Sequence, residues 1–498
     1  MNTSRRLTAF MACCSAALSL AAPPPLSVST SDAPTPDIAS DYPLSCADIA
    51  KPMVFKAWDA MANARVDEAR ETLQLALVGD PKCVMARASL GAVTPGAEGK
   101  RLFDEAMARM SSVGDVEQLD LKVMQAARNG ELRKAFTHAQ ELADLAPDVF
   151  MVNLSLAHTA LALEEWDEAE RAAQRATSLS PANGAGWNLL GYARLRAHRT
   201  AQAIESFRKY VEVAPDEPNA HDSLGDALLA DNQLDGAAAE YQRAIDGSAG
   251  KFWLAWSGLA SVKALQGDWV SARAALDGEK AAAIEPLDKL RADTMMAWSW
   301  AAQAQLPAAM KVLEAARREA VAAKVDSATA RTTLIRAQLN LASGKYAAAV
   351  KDFSAADRMQ VNQLSTGQRK RYRGQVLAGL AAAQARLGTL PDAARTLARL
   401  DEYAQASLSG PFAVDTTSYA RGVLALAQGD ARAAVQALSK CSEPASFCQM
   451  TLAEAQEEAG ETAAAATTRD ELRKANFRDP EYWFVRARLE AKTKESAM

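Results

Sequence analysis

The chain has 498 residues, 49% hydrophobic, 23% charged and only 6% aromatic, with a formal net charge of −5. This balance supplies a large core and excludes a wholly disordered chain, a membrane transporter, a collagen-like chain and a small disulfide scaffold. An acidic chain with four histidines gives no support to a nucleic-acid face and leaves little material for metal or histidine chemistry. Alanine supplies 110 residues. It is the best intrinsic helix former and small enough for helices to touch, so an all-helical chain is expected. Length alone suggests about three domains at roughly 150 residues each.

Residues 1–21 read as a secretory signal peptide. Arg5 and Arg6 precede an uncharged apolar run from Leu7 to Leu20, and Ser19 and Ala21 make a small-residue cleavage site. The run is too short to span a bilayer comfortably. Two weaker variants are a lipoprotein box ending at Cys13, where Phe10 is atypical, and twin-arginine export, where Thr8 is out of place. A periplasmic or extracellular location after cleavage is therefore expected, with lipid anchoring the minor alternative. Residues 22–44, rich in Pro, Ser, Thr and Asp, read as a disordered linker.

Cys46, Cys83, Cys441 and Cys448 remain after cleavage, an even number that suits an exported chain. Pro444 suggests a turn between Cys441 and Cys448, which makes that bridge plausible and leaves Cys46 to pair with Cys83. Four buried thiols are the alternative. The spacing lacks any CxxC, and no histidine lies near either pair, so zinc is not expected.

The middle of the chain repeats itself every 34 residues. Pro147, Pro181 and Pro215 keep this register, as do Ala135, Ala169, Ala203 and Ala237, Leu190-Gly191 with Leu224-Gly225, and Phe207 with Tyr241. The stretch from Gly186 to Pro215 resembles the tetratricopeptide repeat, through Trp187, Leu190, Gly191, Ala203, Phe207 and Pro215. Small Gly191 and Ala203 let two antiparallel helices touch, Trp187, Leu190 and Phe207 fill the seam, and Pro215 ends the unit.

Looser copies place second helices at Val66/Ala69, Leu132/Ala135, Trp166/Ala169, Trp269/Ala272, Tyr346/Ala349, Leu390/Ala393 and Ala431/Ala434, with weaker units at Ala106, Ala309 and Ala465. Gly130, Gly267, Gly344 and Gly429 mark turns within four units. After Ala272 the spacing drifts to between 31 and 44 residues, which implies degenerate repeats or longer loops. The resemblance implies an all-α, right-handed superhelical solenoid of 11–12 helix-turn-helix repeats over residues 45–477, best formed at 119–250. Residues 478–498 read as a capping helix and tail, opened by Asp479-Pro480 and carrying Tyr482, Trp483 and Phe484 over the end of the stack.

Little sequence is left for an active site, and no catalytic residues are assigned. Gly91 to Lys100 looks superficially like a phosphate loop, but Gly96 is followed by Ala97 and no strand precedes it. His221, Asp222 and Ser223 are consecutive on a helix, so they fan out and cannot act as a triad. The basic run Arg369–Arg373 reads as a solvated helix face. No cofactor or metal is expected.

The resemblance instead implies a groove lined by first helices. On matching positions it places His158, Asn188, Tyr192, Arg196, Asp222 and Asp226 there, then Ser257 and Ser261 with a looser register, and Trp298 farther along. Trp187, Trp256 and Trp300 are expected in the core. The Lys/Asn clamp with which some relatives hold a chaperone's carboxylate is absent from Leu154, His158, Asn188, Tyr192, Asp222 and Asp226. The expected function is non-catalytic protein or peptide binding by an envelope scaffold in assembly, secretion or polysaccharide export. The rivals are a cytosolic regulatory repeat protein and an enzyme subunit with an unrecognised site. No nucleic acid or transmembrane segment is expected; peripheral membrane association and oligomeric state stay open.

Overall fold

The computed structural model describes residues 42–284, 286–362, 364–442, 445–476 and 478–497, with side chains as far as residue 491. The expected signal peptide and all of the expected linker before Tyr42 lie outside these residues, as does Pro444. Among the described residues no helix is long and apolar enough to cross a membrane.

The described residues form helices arranged as successive antiparallel pairs. The first five pairs are α1 (Lys51–Ala62) with α2 (Val66–Gly79), α3 (Val84–Val93) with α4 (Gly96–Met107), α5 (Asp115–Arg128) with α6 (Leu132–Leu145), α7 (Phe150–Leu163) with α8 (Trp166–Leu179), and α9 (Gly184–Arg196) with α10 (Thr200–Val213). Four more follow: α11 (Pro218–Ala230) with α12 (Leu234–Gly247), α13 (Trp253–Leu265) with α14 (Trp269–Ala282), α15 (Pro286–Ala302) with α16 (Leu306–Ala322), and α17 (Asp326–Ala342) with α18 (Tyr346–Ala356). The last are α19 (Thr366–Leu387) with α20 (Leu390–Ser407), α21 (Gly410–Ala427) with α22 (Ala431–Leu438), and α23 (Ser446–Glu458) with α24 (Thr462–Lys474). A final helix, α25 (Pro480–Ala497), stands alone. Contacts divide the chain into an N-terminal unit ending at Leu224 and a C-terminal unit made of residues 225–362 and 366–497.

In each unit the first helix of a pair touches the first helix of the next, as α3 does α5, α5 does α7, α15 does α17 and α19 does α21. Second helices pack between the first helices on either side of them. First helices therefore line an inner face and second helices an outer one. From Ala69 to Ala465, the alanines that fix the repeat register on the second helices are at most 1% exposed. They sit where the paired helices touch. Gly191 marks how close that contact is: a Cβ there would lie 2.4 Å from the Phe207 ring.

The turns within pairs carry one residue in the left-handed region. Gly130, Gly267, Gly344 and Gly429 do so at φ between 72° and 79°, as their sequence positions suggested. Glu164, His198, Asn232 and Ala304 adopt the same conformation without being glycine, at φ of 60–67°. The drift in spacing after Ala272 comes mainly from longer helices. The six helices α15, α16, α17, α19, α20 and α21 have 17–22 residues, against 13–14 for α5 to α14.

The N-terminal end of the array begins earlier than the linker reading implied. Tyr42 and Leu44 are buried, and the Tyr42 ring stands edge-on to Trp58 at 5.1 Å. Tyr42 Oη donates to Asp120 on α5 at 2.9 Å, and Ser45 Oγ donates to the fully buried Glu117. Cys46 is bonded to Cys83, which ties this strand of chain to the start of α3. Cys441 is bonded to Cys448 between α22 and α23. Loop-closure entropy makes the first bridge worth about 4 kcal/mol and the second, shorter one about 2 kcal/mol.

Burial, opposed by the Tyr42 hydrogen bond and reinforced by the nearby Glu117 charge, raises the Asp120 pKa to about 6. A carboxyl whose folded pKa exceeds its unfolded value favours folding at acid pH, and that contribution is lost as pH rises through about 6.

Three outcomes test this packing. Gly191→Ala should cost about 1–3 kcal/mol, because Phe207 is fully buried and has nowhere to retreat. Ala304→Gly should raise stability by about 0.5–1 kcal/mol in denaturant titration, by relieving a left-handed alanine. Asp120→Asn, which keeps an acceptor for Tyr42, should be the more stable form at pH 7.5 by up to about 3 kcal/mol. That advantage should fall to about a third at pH 4.5 and vanish near pH 3.5; a pH-independent difference would rule out the raised carboxyl.

Candidate functional site

Each first helix carries two expected inner-side positions one turn apart, three residues before its small residue and one residue after it. In the N-terminal unit the structure treats the two columns differently. The earlier column, Leu154, Asn188 and Asp222, is buried, with exposures of 7%, 8% and 3%. Ser223 Oγ donates to Asn188 Oδ1 at 3.0 Å, so this expected ligand-facing amide joins α9 to α11. The later column is open: His158 is exposed on α7, and Tyr192 is half-buried on α9. Arg196, one turn beyond Tyr192, is half-buried as well.

Tyr192 keeps one foot in the core. Its ring stands edge-on to Phe207 at 5.0 Å and its hydroxyl donates to Ser223 Oγ at 3.3 Å. Partial desolvation of the exposed His158 ring lowers its pKa from the ordinary value, which favours the neutral imidazole at pH 7. A neutral ring offers one donor and one acceptor. His158, Tyr192 and Arg196 thus combine a neutral heterocycle, an aromatic face with a hydroxyl, and a guanidinium.

The N-terminal unit closes part of its own inner face. Ala62, at the end of α1, packs against Phe150, Leu154 and Ala185. In the turn after α1, Asn63 Oδ1 accepts from the buried Tyr210 hydroxyl, and Asn219 Nδ2 donates to the same hydroxyl at 3.1 Å. Arg65 pairs with Glu217 at 3.1 Å. None of these groups was legible as a site residue, because each pair joins repeats far apart in sequence.

In the C-terminal unit the expected groove residues are covered by the chain itself. Asp226 is 7% exposed and Trp298 1%, while Ser257 and Ser261 are fully buried. Arg478 pairs with Asp226 at 2.8 Å and donates to Ser257 Oγ at 3.0 Å. Phe484 lies 5.5 Å from Trp298, ring centroid to ring centroid. The expected capping helix follows α24, but it also runs over the inner-face helices α13, α15 and α23. Its Tyr482, Trp483, Phe484 and Val485 are all at most 2% exposed. Aromatic burial of that extent needs apolar partners on several sides, which an end cap alone would not give.

Three tryptophans expected in the core are only half-buried. Trp187 Nε1 donates to the Pro181 carbonyl at 2.8 Å and Trp256 Nε1 to that of Gly250 at 3.0 Å. An indole keeps an edge outward to reach such a carbonyl. His221 makes the same contact to the Pro215 carbonyl at 3.0 Å, through Nε2. Its ring therefore points away from Ser223, which is turned to Asn188, and no triad forms. Trp300 lies under the Arg273 guanidinium at 3.8 Å.

The basic run on α19 is tied down within the fold. Tyr372 is buried and donates to the Ala356 carbonyl at 3.0 Å, Arg373 pairs with Asp357, and Arg371 lies over Phe412 at 4.9 Å. Among the described residues no group of three His, Cys, Asp or Glu side chains is placed to hold a metal ion.

Residues 154–220 match the family model of the tetratricopeptide repeat. No curated protein matches the chain in sequence. Among solved structures, a tetratricopeptide repeat protein from Parabacteroides merdae is 13% identical, over 66% of this chain and 100% of its own, with a TM-score of 0.33. PilW, a widely conserved type IV pilus biogenesis factor, is 18% identical over 44% of this chain and 98% of its own, at a TM-score of 0.34. YrrB, a repeat protein with an unusual peptide-binding site, is 16% identical over 38% of this chain and 96% of its own, at a TM-score of 0.27. Residues 154–220 are thus similar to the tetratricopeptide repeat, and they lie within a longer succession of helix pairs.

Proposed function

We propose that the chain is a non-catalytic scaffold or adaptor that binds a partner protein's peptide or helix on the inner face of its N-terminal unit. Repeat arrays of this kind present extended concave surfaces made by stacking, and they recognise partners there. The observation that carries the reading is the contrast between the two inner faces. On the C-terminal unit the groove positions are occupied by residues 478–489, whereas His158 is exposed and Tyr192 and Arg196 are half-exposed on the N-terminal unit. A partner segment with hydrogen-bonding groups and a carboxylate suits a neutral imidazole, a tyrosine and a guanidinium.

The cell envelope is the proposed location. The export-type N-terminus and the bonds Cys46–Cys83 and Cys441–Cys448 support it, because disulfides persist in oxidising compartments. Assembly, secretion or polysaccharide export would be the process served.

His158→Glu with Arg196→Glu, in the full chain, should remove the partner from affinity capture of the envelope fraction while leaving the circular dichroism unchanged. An identical partner list from both proteins would move binding away from this face. For the location, an intact Met1 in the purified mature protein would overturn export.

A further inference from the structure

The C-terminal segment contacts its own unit in the manner of a bound peptide, with one polar anchor and one aromatic anchor. The polar anchor is Arg478, 6% exposed. Its Nη1 donates to Asp226 Oδ1 at 2.8 Å, its Nη2 donates to Ser257 Oγ at 3.0 Å and to the Leu254 carbonyl, and its guanidinium lies 5.2 Å from the Tyr241 ring centroid. Asp226 is held for this task by the Tyr241 hydroxyl, which donates to Oδ1 at 2.8 Å. Asn476 Nδ2 donates to Asn232 Oδ1 at 2.9 Å, fixing where the segment enters.

The aromatic anchor is Phe484. It sits with Trp298 and Phe447, at centroid distances of 5.5 and 6.0 Å, in one apolar cluster with Tyr482, Val485 and Leu489. Pro480 opens the helix between the two anchors, and Asp479 caps it by accepting from the Glu481 N–H at 2.9 Å. The anchors come from opposite sides of a helix start, so the seat reads both an arginine and a helical continuation.

These parts have the composition of a recognition site. A guanidinium seat built of a carboxylate, a hydroxyl, a carbonyl and an aromatic face favours arginine, since the compact ammonium of lysine lacks the planar fork that spreads its donors and stacks on a ring. A buried ion pair contributes little net stability compared with apolar filling, but it punishes any occupant lacking the matching charge. Only three residues separate the end of α24 at Lys474 from Arg478, so the resident segment has a very high effective concentration and excludes free competitors.

We propose that residues 476–491 are an intrachain ligand of a peptide-binding site on the inner face of the C-terminal unit. The site takes a segment with arginine and, six residues on, an aromatic side chain in the second turn of a helix. This reading does not depend on what the N-terminal unit binds.

The test uses the full chain, folded with a protease site inserted between Lys474 and Ala475 and cut only afterwards. Native mass spectrometry then follows the fragment. It should stay bound after cutting and exchange with a labelled synthetic peptide of residues 476–491. Peptides carrying Arg478→Glu or Phe484→Ala should exchange at least tenfold less well, and the uncut chain should not take up peptide. Equal exchange by the Arg478→Glu peptide would overturn the proposal, as would loss of the fragment on cutting. Collapse of the array's circular dichroism once the fragment leaves would also overturn it, because the segment would then be core and not ligand.

Discussion

Everything in this protein depends on how closely the two helices of each pair approach. Gly191 lies so near Phe207 that even a methyl group would enter the ring, and the second-helix alanines that keep the register are essentially unexposed. Close approach explains the composition: 110 alanines, and few aromatics, of which Phe207, Tyr241 and Phe353 pack directly on Gly191, Gly225 and Gly379. An alanine buries only a methyl group, worth about 0.8 kcal/mol. Stability must then come from many repeated contacts between neighbours, and a stack of this kind is weakest at its ends. At the first pair Tyr42, Phe55 and Trp58 gather and Cys46–Cys83 adds a covalent tie, while buried Phe207, Tyr210, Tyr241, Trp298 and Phe353 fill the pairs between.

The same constraint decides what the array can present. First helices must touch the next first helices, so one of their two inner columns goes into that contact. Leu154, Asn188 and Asp222 are lost to it, and Ser223 bonds to Asn188 across the seam. His158 and Tyr192, one turn later, lie past the contact and remain accessible to different degrees. A groove of this architecture therefore offers only one or two side chains per repeat for recognition, which makes the identity of each one count.

The repeat register was legible because it is a local property. The 34-residue period, the alanine column and the glycine turns follow from packing within one pair, and every one of those residues lies within about a helix of its partner. Glu164, His198 and Ala304 occupy the same turn conformation without glycine, so composition could not reveal them. The drift after Ala272 was ambiguous for a related reason: an insertion that lengthens a helix and one that lengthens a loop change the spacing alike. Tertiary cover was not legible at all. Arg478 lies 252 residues from Asp226, and Phe484 meets Trp298 across half the C-terminal unit. Trp298 was expected on the groove face from its helix alone, and nothing local says that the chain's own tail would lie on it.

That distinction also separates two kinds of polar group on the inner faces. Asn188 with Ser223, and Asn63 with Tyr210, are short neutral bonds that satisfy buried atoms and hold helices in register. The Arg478 seat is different, since it takes a charge from one segment and receives it with groups from α11, α12 and α13 together. Apolar side chains of similar volume would hold α25 at least as firmly. What they would not do is distinguish this segment from another amphipathic helix of the same size. The chain has placed a buried, multiply bonded cation where a segment lies in a groove, and selectivity is the property that such a cation supplies.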